Sequence, residues 1–270
     1  MASPLRIFYD KKLAAQKLAM VSLYDAPSAK MSCNGGADVL LVGDSLGNVI
    51  LGYDSTIPVT MSDMLRHTGA VARGAKSSSR PEVPVVADLP FGSYSDEISA
   101  VKNGVALMQE GAHAVKLEGA HPQALRAIEA LVQSGVPVMG HLGFTPQSSL
   151  QKNTIVQGRD PAGAEELLRE GLAVQEAGCF SIVLEMVAEE TAAQMTRELS
   201  ISTIGIGAGL DCDGQVLVWH DLIGLSEHSF RFVKKFADAQ NILSQATTDY
   251  VTEVQNGTFP TQANGWKRTS

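Results

Sequence analysis

The chain has 270 residues, a formal net charge of −8 and a sequence pI of about 5.2. This acidic balance argues against a general nucleic-acid or anionic-membrane surface. Hydrophobic residues make up 44% of the chain, which is enough for one large core. Length alone suggests one or two domains, but α/β barrels commonly use about 250 residues as a single domain.

The cysteines and the first residues indicate the compartment. Cys33, Cys179 and Cys212 lie far apart and form no Cys-x-x-Cys pair, a usage typical of reduced thiols in a cytosolic protein. The opening stretch MASPLRIFYDKK lacks the apolar segment of a secretion signal. No stretch approaches the ~20 apolar residues of a membrane span. We therefore expect a soluble, cytoplasmic protein that binds neither membrane nor nucleic acid.

Short apolar runs rich in Val, Ile and Leu recur along the chain, as in parallel strands covered on both faces. The predicted strands are 17–25, 37–44, 83–90, 112–119, 136–143, 180–186, 202–209 and 215–221. Helical patterns at 97–112, 122–135 and 161–178 lie between several of these strands and end near glycines. Eight strands with intervening helices predict an α/β fold, a single-domain (β/α)8 TIM barrel, with a doubly wound open sheet as the alternative.

The end of the chain departs from the strand–helix rhythm. Residues 210–214 leave no room for a helix between the last two predicted strands. The segment 228–254 is predicted to be helical, and 256–270 is predicted to be a polar tail. The whole chain, 1–270, is accordingly predicted to form one barrel domain with this helical segment at its end.

Charged and polar side chains stand where several predicted strands end, which in a barrel is the rim that carries the chemistry. In chain order they are Asp44 and Ser45, Asp88, Lys116 and Glu118, His141, Glu185, and His220 and Asp221. Asp44, Asp88 and Glu118 offer only oxygen ligands, which suit Mg²⁺. Lys116 and Glu118 are two residues apart, so a strand would point both to the same side.

Each of these residues also has a structural interpretation. A lone strand-end Asp often caps the next helix. Lys116 and Glu118 could form one ion pair, and His141 alone could be a packed core histidine. It is the coincidence on successive strands that favours a site. The glycines of GIGAG (205–209) miss the dinucleotide fingerprint because Leu210 stands where its last glycine belongs, so we reject a nicotinamide site.

Beyond these general rules, a set of motifs resembles one known family, the ketopantoate hydroxymethyltransferases. The resemblance extends from about Lys17 to Val254, and the combination of motifs is specific. The stretches that carry it are LLVGDSLGNVILGYDSTIPVT (40–60), VADLPFGSY (86–94), AVKLEGA (114–120), PVMGHLGFTPQS (137–148), QGR (157–159), VLEMV (183–187) and TIGIGAGLDCDGQVLVWHDLIGL (203–225).

The resemblance implies a (β/α)8 barrel, a homodecamer and a Mg²⁺-dependent enzyme of pantothenate biosynthesis. This enzyme transfers a hydroxymethyl group from 5,10-methylenetetrahydrofolate to 3-methyl-2-oxobutanoate, giving 2-dehydropantoate (ketopantoate) and tetrahydrofolate. The metal-associated acids of the family fall on Asp44, Asp88 and Glu118. Substrate contacts fall on Asp44, Ser45, Asp88 and Lys116. The general base falls on Glu185, and His141 is expected to position the substrate or relay a proton.

These roles together describe a metal-stabilised enolate. Glu185 follows the apolar residues Ile182–Leu184, and we expect desolvation to make it a better base. The alternative enzyme is another metal-dependent 2-oxo-acid enolate enzyme, of the phosphoenolpyruvate mutase/isocitrate lyase type. The chain lacks the K-K-C-G-H type of stretch found in isocitrate lyases. A non-catalytic barrel that binds a metabolite is the remaining hypothesis. It is disfavoured because all the expected charged groups are present: Asp44, Asp88, Lys116, Glu118 and Glu185.

Overall fold

A computed structural model describes residues 3–148, 156–226 and 230–267 of the chain. Eight parallel strands form a closed barrel in sequence order, with β1 paired to both β2 and β8. The strands are β1 (Leu18–Ser22), β2 (Val39–Val42), β3 (Val85–Asp88), β4 (Ala114–Lys116), β5 (Val138–Gly143), β6 (Ser181–Glu185), β7 (Ser202–Ile206) and β8 (Gly214–Val218). The predicted barrel is confirmed, and its closure excludes the open sheet.

The helices follow the predicted rhythm. They are α1 (Arg6–Leu13), α2 (Ala26–Asn34), α3 (Leu46–Val49), α4 (Met61–Lys76), α5 (Glu97–Gln109), α6 (Pro122–Gln133), α7 (Pro161–Glu176), α8 (Glu189–Glu198), α9 (Trp219–Leu222) and α10 (Ala239–Gln255). As predicted, no helix separates β7 from β8, whose connecting residues are all described. None of the described helices combines the length and the apolar composition needed to cross a bilayer.

Local sequence explains where the helices begin. Asp25, Asp96 and Asp160 each accept a hydrogen bond from a backbone N–H three residues on, at the starts of α2, α5 and α7. Thr60 and Asp63 form a reciprocal capping box at the start of α4. These caps satisfy N–H groups that have no partner within the helix, so they fix where each strand-to-helix loop ends.

The barrel interior is packed and closed at its amino-terminal end. Its apolar filling comes from alternate strand residues: Leu18, Met20, Val39, Leu41, Val86, Ala114, Met139, Val183, Ile204 and Val216. Phe8 of α1 joins this cluster and meets the edge of Phe180, with ring centroids 5.1 Å apart. The Ser202 hydroxyl donates a hydrogen bond of 2.8 Å to the Phe8 carbonyl. With α1 covering this end, the opposite rim is left for chemistry.

Gly74 allows α2 and α4 to pack closely. A Cβ at this position would lie 2.3 Å from the Ala26 carbonyl oxygen, so Gly74→Ala is expected to lower the free energy of unfolding by about 1–3 kcal/mol. Gly163→Ala in α7 is the matched control, since its Cβ would approach no atom closer than 3.4 Å and alanine favours helix. Denaturant unfolding of both variants measures the difference. Equal stability of the two would contradict this close packing.

The three cysteines are buried and free. Burial raises the pKa of all three thiols, that of Cys179 to about 12. A thiol rather than a thiolate reacts slowly, so we expect almost no labelling of the native protein by a disulfide reagent at pH 8. All three should react after unfolding in guanidinium. A fast-reacting thiol in the native protein would show that one cysteine is more accessible than its burial indicates.

The chain divides into two compact units, 1–219 and 220–270, and the barrel strands belong to the first. The prediction of a helix over 228–254 is wrong at its start, because α10 begins only at Ala239. Within the second unit, the backbone N–H groups of Phe236 and Ala239 donate to the carbonyls of Leu222 and Ile223 instead of continuing a helix. Residues 228–229 and 268–270 lie outside the described residues. The single domain over 1–270 stays a prediction.

Candidate active site

The predicted site residues continue the inward-facing rows of the barrel. Alternate residues of a strand share one face. Two positions beyond the inner apolar residues Val86, Ala114, Met139 and Val183 stand Asp88, Lys116, His141 and Glu185. The alternation that points apolar side chains into the barrel therefore also places four polar side chains at the carboxyl-terminal end of the barrel interior. Asp88 and Lys116 are direct neighbours in the pairing of β3 with β4.

Lys116 is the buried cation of this cluster. Its Nζ atom lies 3.0 Å from Oδ1 of Asp88 and 3.4 Å from Nδ1 of His141. Burial lowers the pKa of Lys116, but the negative charges of Asp88, Glu118 and Asp44 outweigh this effect and raise it. The ammonium is therefore charged and surrounded by acids. The structural alternative of a single Lys116–Glu118 ion pair does not hold, because the direct ion pair of Lys116 is with Asp88.

His141 lies between two carboxylates. Its Nδ1 is 3.3 Å from Oε1 of Glu118, and its Nε2 is 3.2 Å from Oε2 of Glu185. Burial and the charge of Lys116 lower the pKa of His141, but hydrogen bonding to Glu118 and Glu185 outweighs them and raises it to about 9. His141 is thus an imidazolium at neutral pH, and not the neutral core histidine that it could have been from sequence alone.

Asp44 is held from two sides. Its backbone N–H donates to Oδ2 of Asp88 at 3.1 Å, and its own Oδ2 accepts a hydrogen bond of 2.8 Å from Nε2 of Gln147. Burial, followed by the negative charges of Asp88 and Glu118, raises the pKa of Asp44 to about 8. Asp44 therefore lies close enough to Asp88 and Glu118 for their charges to raise its pKa, and none of these three acids caps a helix. Burial also raises the pKa of Asp88.

Ser45 joins a separate hydrogen-bonded chain. Its hydroxyl lies 2.7 Å from the hydroxyl of Tyr24, which also accepts from Ser22 at 3.4 Å. The Tyr24 carbonyl lies 2.6 Å from Nδ1 of His67 on α4. Tyr24 is fully buried, so this chain fixes the direction of the Ser45 hydroxyl. Gly43, just before Asp44, has no room for a Cβ because the Ser45 and Ser22 hydroxyls would lie 2.8 and 2.9 Å from it.

Glu185 stands at the edge of the cluster. Its side chain is 18% exposed, whereas that of His141 is 3% exposed. The Glu185 carbonyl accepts a hydrogen bond of 2.8 Å from Phe144, and Met186 has a left-handed φ of 49°. A Cβ on Gly143 would come within 2.2 Å of that carbonyl. The backbone is therefore tightly constrained at this residue, while its carboxylate borders both His141 and the more open side of the rim.

The donor set can be compared with what Mg²⁺ requires. No group of three or more His, Cys, Asp or Glu side chains lies in ligating geometry within 3–148, 156–226 and 230–267. Glu118 has Oε1 near His141 and Oε2 accepting from the Gln147 N–H at 3.0 Å. Asp44 and Asp88 fit as oxygen ligands for an ion that completes its shell with water and substrate oxygens. The surplus of buried negative charge favours such a cation.

Two residues of the site went unnoticed in the sequence, Gln147 and Tyr94. The Tyr94 hydroxyl donates a hydrogen bond of 2.6 Å to Oε1 of Gln147, whose amide reaches Asp44. Both residues lie within family-like motifs, Tyr94 in VADLPFGSY and Gln147 in PVMGHLGFTPQS. Neither residue is charged and neither lies on a strand, so a pattern of charged groups at strand ends does not indicate them.

The chain is similar in sequence to proteins of one family. A profile of the ketopantoate hydroxymethyltransferase family matches residues 4–262. A 3-methyl-2-oxobutanoate hydroxymethyltransferase of Chloroflexus aurantiacus is 49% identical over 91% of this chain and 86% of its own. The enzyme of the same name from Aeropyrum pernix is 49% identical over 93% of this chain and 90% of its own. That from Thermotoga maritima is 46% identical over 95% and 94%.

Solved structures share the fold at low identity. The 2,3-dimethylmalate lyase structure, described as a PEP mutase/isocitrate lyase superfamily member, has a TM-score of 0.62 at 16% identity, covering 99% of this chain and 91% of its own. Phosphonopyruvate hydrolase in complex with oxalate and Mg²⁺ has a TM-score of 0.64 at 12% identity, covering 97% and 93%. The alternative enzyme class considered from the sequence is thus a relative in fold alone.

Proposed function

This chain belongs to the ketopantoate hydroxymethyltransferase family, and we propose that the buried cluster around Lys116 and His141 is where its reaction takes place. Its activity is the transfer of a hydroxymethyl group to 3-methyl-2-oxobutanoate, forming 2-dehydropantoate. The observation that carries the proposal is the placement of two buried cations among the carboxylates of Asp88, Glu118 and Glu185. Such a cluster is costly to bury and is suited to an anionic substrate whose charge moves during reaction.

We assign the predicted metal residues as follows. Asp44 and Asp88 would hold Mg²⁺, directly or through water, and Glu118, whose two oxygens contact His141 and the Gln147 N–H, would support it from nearby through a bridging water. When bound, the ion would act as a Lewis acid toward the keto oxygen. The donor set consists of oxygen atoms alone, which supports a hard divalent cation over a transition metal.

Substrate binding is assigned to three polar groups besides the metal acids. The keto acid is an anion, so the Lys116 ammonium and the fixed Ser45 hydroxyl would receive its carboxylate. Tyr24 holds that hydroxyl in place. His141 would position the reacting end through its imidazolium. All of these contacts are built on strands or on the turn after β2, so the site is largely formed before substrate arrives.

Proton abstraction is assigned to Glu185. The C3–H bond of 3-methyl-2-oxobutanoate breaks, its proton goes to the Glu185 carboxylate, and its electron pair gives the enolate. Nε2 of the His141 imidazolium lies 3.2 Å from Oε2 of Glu185 and orients the carboxylate. Water adds to the one-carbon unit of 5,10-methylenetetrahydrofolate, both of its C–N bonds break, and tetrahydrofolate leaves with a proton on each nitrogen. C3 of the enolate attacks the carbon of the resulting formaldehyde, and the new alkoxide takes back the proton from Glu185 to become the hydroxymethyl group.

Deuterium exchange at C3 of 3-methyl-2-oxobutanoate in D₂O tests this assignment. We expect NMR to show exchange that requires both protein and Mg²⁺, and 2-dehydropantoate only after 5,10-methylenetetrahydrofolate is added. Exchange without any folate-dependent product would indicate a relative with another acceptor. Absence of exchange under every condition would overturn the enolate step and favour a metabolite-binding protein.

We further propose a homodecamer in the cytoplasm. The three free cysteines support a reducing compartment. None of the 17 residues of α10 is buried, and Ile242, Leu243, Tyr250 and Val251 are exposed. Apolar side chains in such numbers indicate a surface that another copy covers, and light scattering of the purified protein measures the number of copies.

A further inference from the structure

Gln147 lies at the centre of the polar network although no charge marks it. It belongs to the 3₁₀ turn Pro146–Ser148 that follows β5, and it is 5% exposed. Its Nε2 donates to Oδ2 of Asp44 at 2.8 Å and to the Leu89 carbonyl at 3.0 Å. Its backbone N–H donates to Oε2 of Glu118 at 3.0 Å. One residue therefore contacts two of the three predicted metal acids.

The direction of the Gln147 amide is fixed by its partners. The Leu89 carbonyl can only accept, so the nitrogen of the amide must face it. The same nitrogen then has a second hydrogen for the Asp44 carboxylate. The amide oxygen is left facing Tyr94, whose hydroxyl donates to it at 2.6 Å. A reversed amide would lose both donated bonds and leave two buried acceptors without a donor.

This arrangement fixes the orientation of the Asp44 carboxylate through one of its two oxygens. In the described part of the chain, Gln147 provides the one side-chain hydrogen bond to the Asp44 carboxylate, and it goes to Oδ2. Because Oδ2 is held by Gln147, Oδ1 of Asp44 is available to another ligand, and the Asp44 carboxylate cannot turn toward Lys116. Hydrogen bonds from surrounding residues orient metal-bound carboxylates, and their loss typically weakens metal binding about 10–100-fold.

We propose that Gln147 is a positioning residue for hydroxymethyl transfer, which holds Asp44 and Glu118 in register for a divalent cation while Tyr94 locks its amide. The inference rests on the proposed function, since it assumes the cation at Asp44 and Asp88. It adds a residue outside the predicted set, and it gives the turn after β5 a function, which is to place Gln147 against Asp44 and Glu118. The backbone bond to Glu118 survives any side-chain change, so substitution isolates the effect on Asp44.

The test is calorimetric titration of the purified protein with Mg²⁺ alone, without keto acid or folate. Gln147→Ala is expected to weaken Mg²⁺ binding about 10–100-fold, and Tyr94→Phe to weaken it by a smaller factor in the same direction. Gln175→Ala is the matched control. Its amide oxygen accepts hydrogen bonds from Ser200 and Ile201 at the other end of the barrel, so stability falls there while Mg²⁺ affinity stays unchanged.

The C3 exchange rate, measured over a series of Mg²⁺ concentrations up to saturation, gives a second readout. We expect partial recovery of exchange in Gln147→Ala as Mg²⁺ is raised, which a general folding defect would not show. Wild-type Mg²⁺ affinity in Gln147→Ala would overturn the inference and leave the proposed function standing. Failure of the wild-type protein to bind Mg²⁺ would overturn both. Should Gln147→Ala not fold, the affinity of Tyr94→Phe decides the question.

Discussion

Replacement of Glu185 with glutamine is expected to slow exchange of the C3 proton of 3-methyl-2-oxobutanoate by about 10²–10⁴-fold. Glutamine has nearly the same shape, and it cannot accept the proton. The amide can still meet Nε2 of His141, 3.2 Å from the present Oε2, so the cluster keeps its form. The measurement is NMR of the keto acid in D₂O with Mg²⁺.

Two controls separate a lost base from a damaged site. Keto-acid binding, followed by calorimetry, should persist in Glu185→Gln because the carboxylate-binding groups are untouched. Glu190→Gln changes an exposed acid in the first turn of α8 and should exchange at the wild-type rate. Unchanged exchange in Glu185→Gln would show that another group is the general base.

Much of this architecture is visible in the sequence because burial leaves a local signature. Parallel strands covered on both faces read as apolar runs, and all eight predicted runs coincide with strands. Within each strand, the residue two positions after an inward-facing apolar residue also faces inward. This rule places Asp88, Lys116 and His141 at the carboxyl-terminal end of the barrel interior. Strand periodicity and the rim of the barrel suffice for these positions, since both depend on residues close in sequence.

The remainder depends on contacts between distant segments. The charge of His141 follows from Glu118 and Glu185 on its two sides, and a lone histidine in a sequence shows neither neighbour. Gln147 is placed by a turn that brings it against Asp44, which lies 103 residues earlier in the sequence. The late start of α10 has the same origin, because backbone groups before it pair with the segment 222–224.

Removal of the Lys116 charge is expected to affect both stability and activity. Lys116→Met leaves Asp88 buried without its ion pair of 3.0 Å, and breaking a buried pair in this way costs about 3–5 kcal/mol of unfolding free energy. The same change removes a cation assigned to the substrate carboxylate, so keto-acid binding and C3 exchange should also fall. Denaturant unfolding and calorimetry measure the two effects on the same preparation.

The double variant Lys116→Met/Asp88→Asn tells the two effects apart. Asparagine keeps the volume of Asp88 and removes its charge, so we expect the double variant to regain part of the unfolding free energy that Lys116→Met loses. Substrate binding and exchange should remain lost, because neither the cation nor the Asp88 metal ligand is present. If stability stayed as low as in the single variant, the buried charge of Asp88 would not be the cause of the loss. If exchange returned with stability, Lys116 and Asp88 would serve the fold rather than the reaction.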